Sequence, residues 1–502
     1  MLSEVNVVQL GHIDYSIYTP EGYNIKWNYE PDFSILKDAY IDVLLLFRDI
    51  TEDEYLFLSK NSKAYCVFFY DEIDIDNSVF NKKLYYEKFG KIYNNNQMVD
   101  FIKNELFDYY TSSYGEKVDL INVFVSQQFN GSVKYNGYEN VELDGDFGKD
   151  LSQIVFWKYN TPISTNQSLE FWLEYEKEGD IEIYFSITQF ASGSSDKIDN
   201  NWIFNEEELK KLVVVKNDKV DGSLFFSIKA KGTGKLKIIS LHNRFSRRNK
   251  GSFIIGGQRK ALSNREEILY YFDPGNYKAP LNVYFSGYRT QEGYEGYNML
   301  RRLKQPFIIF TDARLNGGSF YIGNEEYENA VVHIIERHIE TLKLNNSDVI
   351  LSGLSMGSFA ALYYGCDIKP HAIVVGKPLV SLGDVAKNEQ ILRSNDFPTS
   401  LDVLHKSTGG TDGKDIETLN NKFWSKFDNA DWSNTKFAIA YMKDDDYDAN
   451  AYNNLQEHLD DVGAIIYGKG LPGKHNDDTS GIIKWFLSQY EAIIDEDFNN
   501  KD

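Results

Sequence analysis

The 502-residue chain sets 75 Asp and Glu against 53 Lys and Arg, a formal net charge of −22, which argues against a nucleic-acid partner, since phosphate binding requires a basic surface. With 42% hydrophobic and 15% aromatic residues it can fill several cores, and its two cysteines, Cys66 and Cys366, sit in apolar stretches and read as core thiols of a reducing compartment rather than as a disulfide framework. No apolar run approaches the length of a bilayer span, Val43-Leu44-Leu45-Leu46-Phe47 being among the longest; Met1-Leu2-Ser3-Glu4-Val5 leads straight into an apolar strand with no secretory signal pattern, so a soluble protein is expected.

In chain order, strand patterns at Val5 to Leu10, Ile41 to Phe47, Ala64 to Tyr70 and Leu120 to Val125 alternate with helical patterns such as Met98 to Tyr110, which predicts a small Rossmann-like α/β domain over 1–125 with a parallel sheet. Over 126–260 the period falls to two: Leu169, Phe171, Leu173, Tyr175 and then Ile181, Ile183, Phe185, Ile187 alternate with polar residues. Leu224, Phe226, Ile228, then Gly232-Thr233-Gly234, then Leu236 and Ile238 read as a hairpin, and the whole as an antiparallel β-sandwich. Trp157, Trp172 and Trp202 could make it carbohydrate-binding, although core packing is the commoner use of such residues. Over 261–502 β and α patterns alternate again, predicting an α/β-hydrolase domain. The stretch 381–433, interrupted by Asp396-Phe397-Pro398 and Gly409-Gly410-Thr411-Asp412-Gly413, reads as a cap over its site.

Within that last region, Val349-Ile350-Leu351 runs into Gly353-Leu354-Ser355-Met356-Gly357 and then into a helical stretch. Gly-x-Ser-x-Gly alone should arise by chance about 0.2 times in a chain of this length, but a strand before it and a helix after it make a nucleophile elbow, in which a strained turn exposes the serine hydroxyl above the sheet. Ser355 then needs a base and an orienting acid, in the chain order Ser, acid, His. Of the histidines downstream, His371 precedes a strand and belongs at the wrong end of the sheet, His405 falls in the cap, and His458 lies on an amphipathic surface helix. His475 follows the last strand, in the loop Gly473-Lys474-His475-Asn476-Asp477, and is the expected base. The acid should close the preceding strand, where Asp444, Asp445, Asp446 and Asp448 crowd together; position alone does not choose among Asp444, Asp445 and Asp446. The backbone N–H of Met356, with one from Gly287 or Tyr288 in Ser286-Gly287-Tyr288-Arg289, would form the oxyanion hole. Arg289, Asp312 and Arg314, at the same sheet edge, are candidate substrate contacts, with a buried structural pair as the rival reading for the last two. No Gly-x-Gly-x-x-Gly or Walker loop and no Cys/His metal spacing occurs, so neither a bound cofactor nor a metal is expected.

Ser286-Gly287-Tyr288-Arg289 with Glu292-Gly293-Tyr294-Glu295-Gly296-Tyr297, Thr311-Asp312-Ala313-Arg314-Leu315-Asn316-Gly317-Gly318-Ser319, Gly353-Leu354-Ser355-Met356-Gly357-Ser358 and Gly473-Lys474-His475-Asn476-Asp477 together resemble the second accessory secretory protein of the Gram-positive accessory Sec system, over the whole chain. The resemblance implies a cytosolic component, peripheral at the membrane through its export complex, that O-acetylates N-acetylglucosamine on serine-rich-repeat glycoprotein adhesins and supports their export. It also implies the other accessory secretory proteins and the dedicated SecA motor as partners. Carried onto these residues it makes Ser355 the nucleophile and His475 the base, and its spacing favours Asp445 as the acid. Some relatives carry Glu there, which keeps Asp444 and Asp446 as alternatives. No motif specifies the acetyl donor. The residues alone support acyl transfer, and a carbohydrate esterase or a non-catalytic export scaffold are the competing readings.

Overall fold

The computed structural model describes residues 4–499 apart from 35, 37–39, 195, 392–396 and 461, and arranges the chain as three sheets. The first is parallel throughout, in the order Ile25–Tyr29, Val5–Leu10, Val43–Leu46, Val67–Tyr70, Lys91–Tyr93. Its inner strands are apolar on both faces, as strands covered on two sides must be. The edge strands Ile25–Tyr29 and Lys91–Tyr93 carry no such run and were not legible. The segment expected to be a fourth strand of this sheet joins the next one instead: Val123–Val125 pairs with Trp157–Val155, and Gly115–Val118 with Arg244–Leu241. An apolar period marks a strand but does not say which sheet it enters.

The middle region departs from the expected sandwich in construction. Three antiparallel strands of 24 residues each, Asn140–Ile163, Ser168–Ala191 and Gly222–Phe245, run the length of one eight-stranded sheet. Gly232-Thr233-Gly234 is therefore a bend inside a single strand, correcting the hairpin reading. Gly145, Gly179, Gly232 and Gly234 cluster where the three strands cross this bend; all have positive φ, and a Cβ at any of them would lie within 1.9–2.9 Å of a neighbouring carbonyl oxygen. The sheet folds over on itself there. Phe171 packs against Phe226 at 5.2 Å between ring centroids, although the register pairs Phe226 with Ile187 at the far end of the strand that holds Phe171. One core thus lies between two halves of the same sheet.

The third sheet runs Gln258–Ala261, Glu267–Asp273, Phe307–Thr311, Leu281–Phe285, Val349–Leu354, Ala372–Gly376, Lys436–Met442, Ile465–Leu471; its first two pairings are antiparallel and the rest parallel. Alternate side chains bury on opposite faces. Val283, Leu351, Ile373 and Ile439 meet helices Glu325–Leu342 and Met356–Ile368, whereas Tyr284, Ile350, Val374 and Ala438 meet helices Tyr297–Leu303 and Thr479–Asp497. Between Ala372–Gly376 and Lys436–Met442 the chain leaves the sheet as helices Leu382–Ile391, Thr399–Thr408 and Gly413–Asp428, the segment read as a cap. Asp396, read there with Phe397 and Pro398 as a helix break, lies outside the described residues. Among the described residues no helix is long and apolar enough to cross a membrane.

A buried charge network joins the middle sheet to the third. Arg244 donates from Nη1 and Nη2 to Glu267 at 3.0 and 2.6 Å and from Nε to Glu292 at 2.7 Å. His242 meets Glu292 at 2.5 Å through Nδ1 and Glu174 at 3.2 Å through Nε2. Glu174, His242 and Glu267 are close enough together to hold a metal ion, but Arg244 and the buried Lys117 already supply cationic charge there. Burial alone would favour a neutral His242, yet Glu292 and Glu174 outweigh it and push the imidazole pKa up to about 9. Because the folded value lies above the ordinary 6.5, the stabilisation is complete below pH 6.5 and is lost as pH rises through about 9. Burial lowers Lys117 to about 8, with the opposite consequence above that pH, so the loss from His242 is cleanest between pH 6.5 and 8. Urea unfolding should show a stability about 1 kcal/mol lower at pH 8 than at pH 6.5, and His242→Gln should remove at least half of that slope.

Candidate functional site

At the carboxyl end of Val349–Leu354 the chain reverses through Ser355 (φ 52, ψ −118), a conformation that few residues other than glycine adopt, and enters helix Met356–Ile368 immediately. The flanking glycines are a spatial necessity. A Cβ on Gly353 would sit 2.2 Å from the Gly357 carbonyl oxygen, and one on Gly357 2.0 Å from that of Phe285. The turn is pinned by Ser355 N–H donating to the Gly376 carbonyl at 2.9 Å, and the helix after it is almost wholly buried.

Ser355 Oγ lies 2.8 Å from His475 Nε2, and His475 Nδ1 lies 2.8 Å from Asp445 Oδ2. His475 is 2% exposed and stacks on Tyr447 at 4.3 Å between centroids, which fixes its ring plane. The three adjacent aspartates divide the work. Asp445 turns inward, and its Oδ1 accepts from the N–H groups of Tyr447 (2.9 Å) and Asp448 (3.2 Å). Asp446 accepts from the backbone N–H of His475 at 3.1 Å, and Asp444 from that of Gly473 at 3.3 Å. Asp444 and Asp446 thus hold the backbone of the histidine loop, and the turn after Met442, closed on Asp445 Oδ1 by the N–H groups of Tyr447 and Asp448, leaves only the middle carboxylate on the ring. Asp448 accepts from the N–H groups of Val380 and Ser381 at 2.8 Å each, tying this turn to the start of the cap; burial pushes its carboxyl up to about 6.

The expected oxyanion donors separate. The N–H groups of Met356 and Tyr288 donate to no described group, whereas Gly287 N–H is taken by Glu295 Oε2 at 2.7 Å. Gly287 does approach the elbow closely, since a Cβ there would lie 3.2 Å from the Leu354 carbonyl oxygen, but a carboxylate is a strong acceptor and has already claimed its proton. This corrects the assignment of Gly287 and leaves Tyr288. The Tyr288 ring is 39% exposed and meets Phe397 of the cap edge-on at 5.0 Å; Phe397 stacks in turn on Tyr447 at 5.9 Å. An aromatic wall thus runs from the cap to His475. Phe397, Tyr447 and Glu295 were missed in the sequence because aromatic and acidic residues are common and nothing local marks these.

Two further candidates are corrected. Arg314 donates to both carboxylate oxygens of Asp312 at 2.8 and 2.7 Å, and Asp312 Oδ2 also accepts from Ser319 and Tyr321 N–H at 2.9 Å each. Arg314 is 2% exposed, stacks 3.6 Å above Tyr327 and donates to the Ile322 carbonyl. Burial opposes ionisation of Asp312, but Arg314 outweighs it and holds the carboxyl down at about 2. The pair braces the loop 312–323 from within, where a substrate has no access. Arg289 is half-buried with its guanidinium 5.4 Å from the Tyr114 ring, beside the Glu292–Glu295 loop. The remaining histidines lie away from Ser355: His371 on Asp497 at 2.7 Å, His405 on Glu139 of the middle sheet at 2.6 Å, and His458 on Asp428 at 2.6 Å. Of the tryptophans, Trp157 is fully buried, Trp172 lies between Arg259 and Arg265, and Trp202 packs on the middle core.

Sheet and site together define a mixed α/β protein with a Ser-His-Asp constellation at the carboxyl ends of parallel strands. A family model described as the accessory Sec system GspB-transporter matches residues 5–500, and the chain belongs to this family, that of the second accessory secretory protein. The Streptococcus gordonii accessory Sec system protein is 41% identical over 392 residues, 78% of this chain and 77% of the relative. That of Staphylococcus aureus is 39% identical over 389 residues, 78% of this chain and 74% of the relative. Among solved structures, a chain of the Glycosylation Associate Protein (Gap123) complex from Streptococcus agalactiae is 35% identical, covers 99% of both chains and superposes with a TM-score of 0.85.

Proposed function

We propose that this protein is a serine-dependent O-acetyltransferase of the accessory Sec system that acetylates N-acetylglucosamine on serine-rich-repeat glycoprotein adhesins and supports their export. The observation that carries the reading is the hydrogen-bonded relay Ser355 Oγ to His475 Nε2 to Asp445, at 2.8 Å for each link. His475 takes the Ser355 proton as Oγ attacks the carbonyl of an activated acetyl donor. Asp445 holds the ring in the tautomer whose Nε2 can accept, and stabilises the imidazolium that forms. Charge developing on the carbonyl oxygen falls to the N–H groups of Met356 and Tyr288 and to the positive end of helix Met356–Ile368. His475 then returns its proton to the leaving group, deprotonates a sugar hydroxyl, and that hydroxyl takes the acetyl group from Ser355. The cap and its aromatic wall favour a sugar over water as acceptor, the one difference between a transferase and an esterase.

The near full-length likeness to a chain of a glycosylation-associated complex supports the glycoprotein substrate and a set of accessory secretory proteins as partners, with the accessory SecA motor beyond them. Family membership supports a cytoplasmic location, peripheral at the membrane through that assembly. Mass spectrometry of the adhesin glycan from cells carrying Ser355→Ala should find the O-acetyl groups gone from N-acetylglucosamine; unchanged acetylation would overturn the transferase reading, and increased acetylation would indicate an esterase.

A further inference from the structure

A cavity of about 950 Å³ lies away from Ser355. It opens at the opposite end of the third sheet, where Gln305 and Phe307 enter a parallel strand, and its other wall is the N-terminal layer, from helix Glu52–Asn61 and the end of helix Val79–Glu87. In a chain of net charge −22 this hollow carries the opposite sign: seven lysines and arginines line it against two carboxylates, Glu87 and Asp273. Two carboxylates cannot balance seven cations, and each is also held by hydrogen bonds from neutral donors. Glu87 accepts from Tyr55 Oη at 2.8 and 2.9 Å, and Asp273 from the Gly275 N–H at 3.0 Å and Tyr271 Oη at 3.3 Å.

One cationic side chain in the wall is more than nine-tenths buried. Lys88, 7% exposed, makes no side-chain hydrogen bond or contact ion pair among the described residues; burial pulls its pKa down, and the Asp273 and Glu87 carboxylates oppose that only in part. The Asp273 and Glu87 carboxylates offset only part of the cost of burying this ammonium, so an anion in contact with it would stabilise the site. The volume is that of a small-molecule site of nucleotide size, set between domains, where such sites concentrate. We infer that this cavity binds a phosphorylated ligand of nucleotide size, with Lys88, Arg302 and Lys278 meeting the phosphoryl groups. The site is separate from Ser355 and does not depend on the acyltransfer reading.

Calorimetric titration of the full chain with ADP, with pyrophosphate and with a poly-glutamate peptide tests this. ADP should bind saturably and at least tenfold more tightly than pyrophosphate, with affinity falling as salt rises. Lys88→Met should weaken ADP binding at least tenfold, and Lys278→Ala/Arg302→Ala, which alters only residues of the cavity rim, should do the same while fluorophosphonate labelling of Ser355 is unchanged. Absence of saturable binding at millimolar ADP and pyrophosphate, or binding unaffected by both variants, would overturn the inference. Equal affinity for ADP and pyrophosphate would overturn the part assigned to ligand size. Binding of poly-glutamate alone would overturn the small-molecule site in favour of an acidic protein segment.

Discussion

Ser355→Ala should abolish labelling by a fluorophosphonate probe and lower acetyl transfer by about a millionfold, leaving only the acceleration due to binding and the oxyanion donors. The size follows from the unit character of the relay: without Oγ there is no atom to carry the acyl group, and His475 and Asp445 have nothing to activate. His475→Ala should cost nearly as much, because a neutral hydroxyl is a poor nucleophile without a base 2.8 Å away. The alanine at position 355 would occupy the same strained backbone, so unfolding by heat should shift little, and the labelled fraction of wild-type protein separates inactivity from misfolding. If the folded wild-type protein takes no label, the serine is not activated, and the export-scaffold reading gains.

The second large effect is expected within the aspartate triplet, where Asp445→Asn should slow both labelling and turnover by about ten-thousandfold, whereas Asp444→Asn and Asp446→Asn should each slow them less than tenfold. An Asn at 445 can still accept from the Tyr447 and Asp448 N–H groups through one oxygen, so the turn survives. Its amide nitrogen would then face His475 Nδ1 and reward the wrong tautomer, with the proton on Nε2 pointing at Ser355, which removes the base without removing the ring. At 444 and 446 the carboxylates accept from backbone N–H groups, a role the Asn oxygen keeps. Comparable losses at 445 and at either neighbour would show that loop integrity, not ring orientation, sets the rate.

What could be read in advance was whatever local chemistry enforces. Gly353 and Gly357 are dictated by backbone contacts near 2 Å, so the elbow is visible as a motif. His475 was reachable by elimination, since few histidines follow Ser355 and each rival sits in a segment that a sheet places elsewhere. By contrast, Gly232-Thr233-Gly234 gives one local signal for two outcomes, a hairpin or a bend within a strand. Only pairing with Gly179 and Gly145 across the sheet selects the bend. Asp312 and Arg314 likewise stand at the edge where substrates bind, and what turns them inward is a set of backbone N–H groups from residues 319 and 321.

The amino-acid sequence by itself determined the strand–serine–helix turn, the histidine that serves it, the alternation of α/β and antiparallel regions, and family membership, because these depend on residue type and period over a few adjacent positions. Tertiary structure decided which of three adjacent aspartates turns toward the histidine, which N–H groups remain to receive an oxyanion once Glu295 has taken that of Gly287, and where a buried Lys88 meets a basic hollow. Each of these is settled by groups tens or hundreds of positions apart, competing for the same hydrogen bond or charge, and that competition is resolved only when the sheets are brought together.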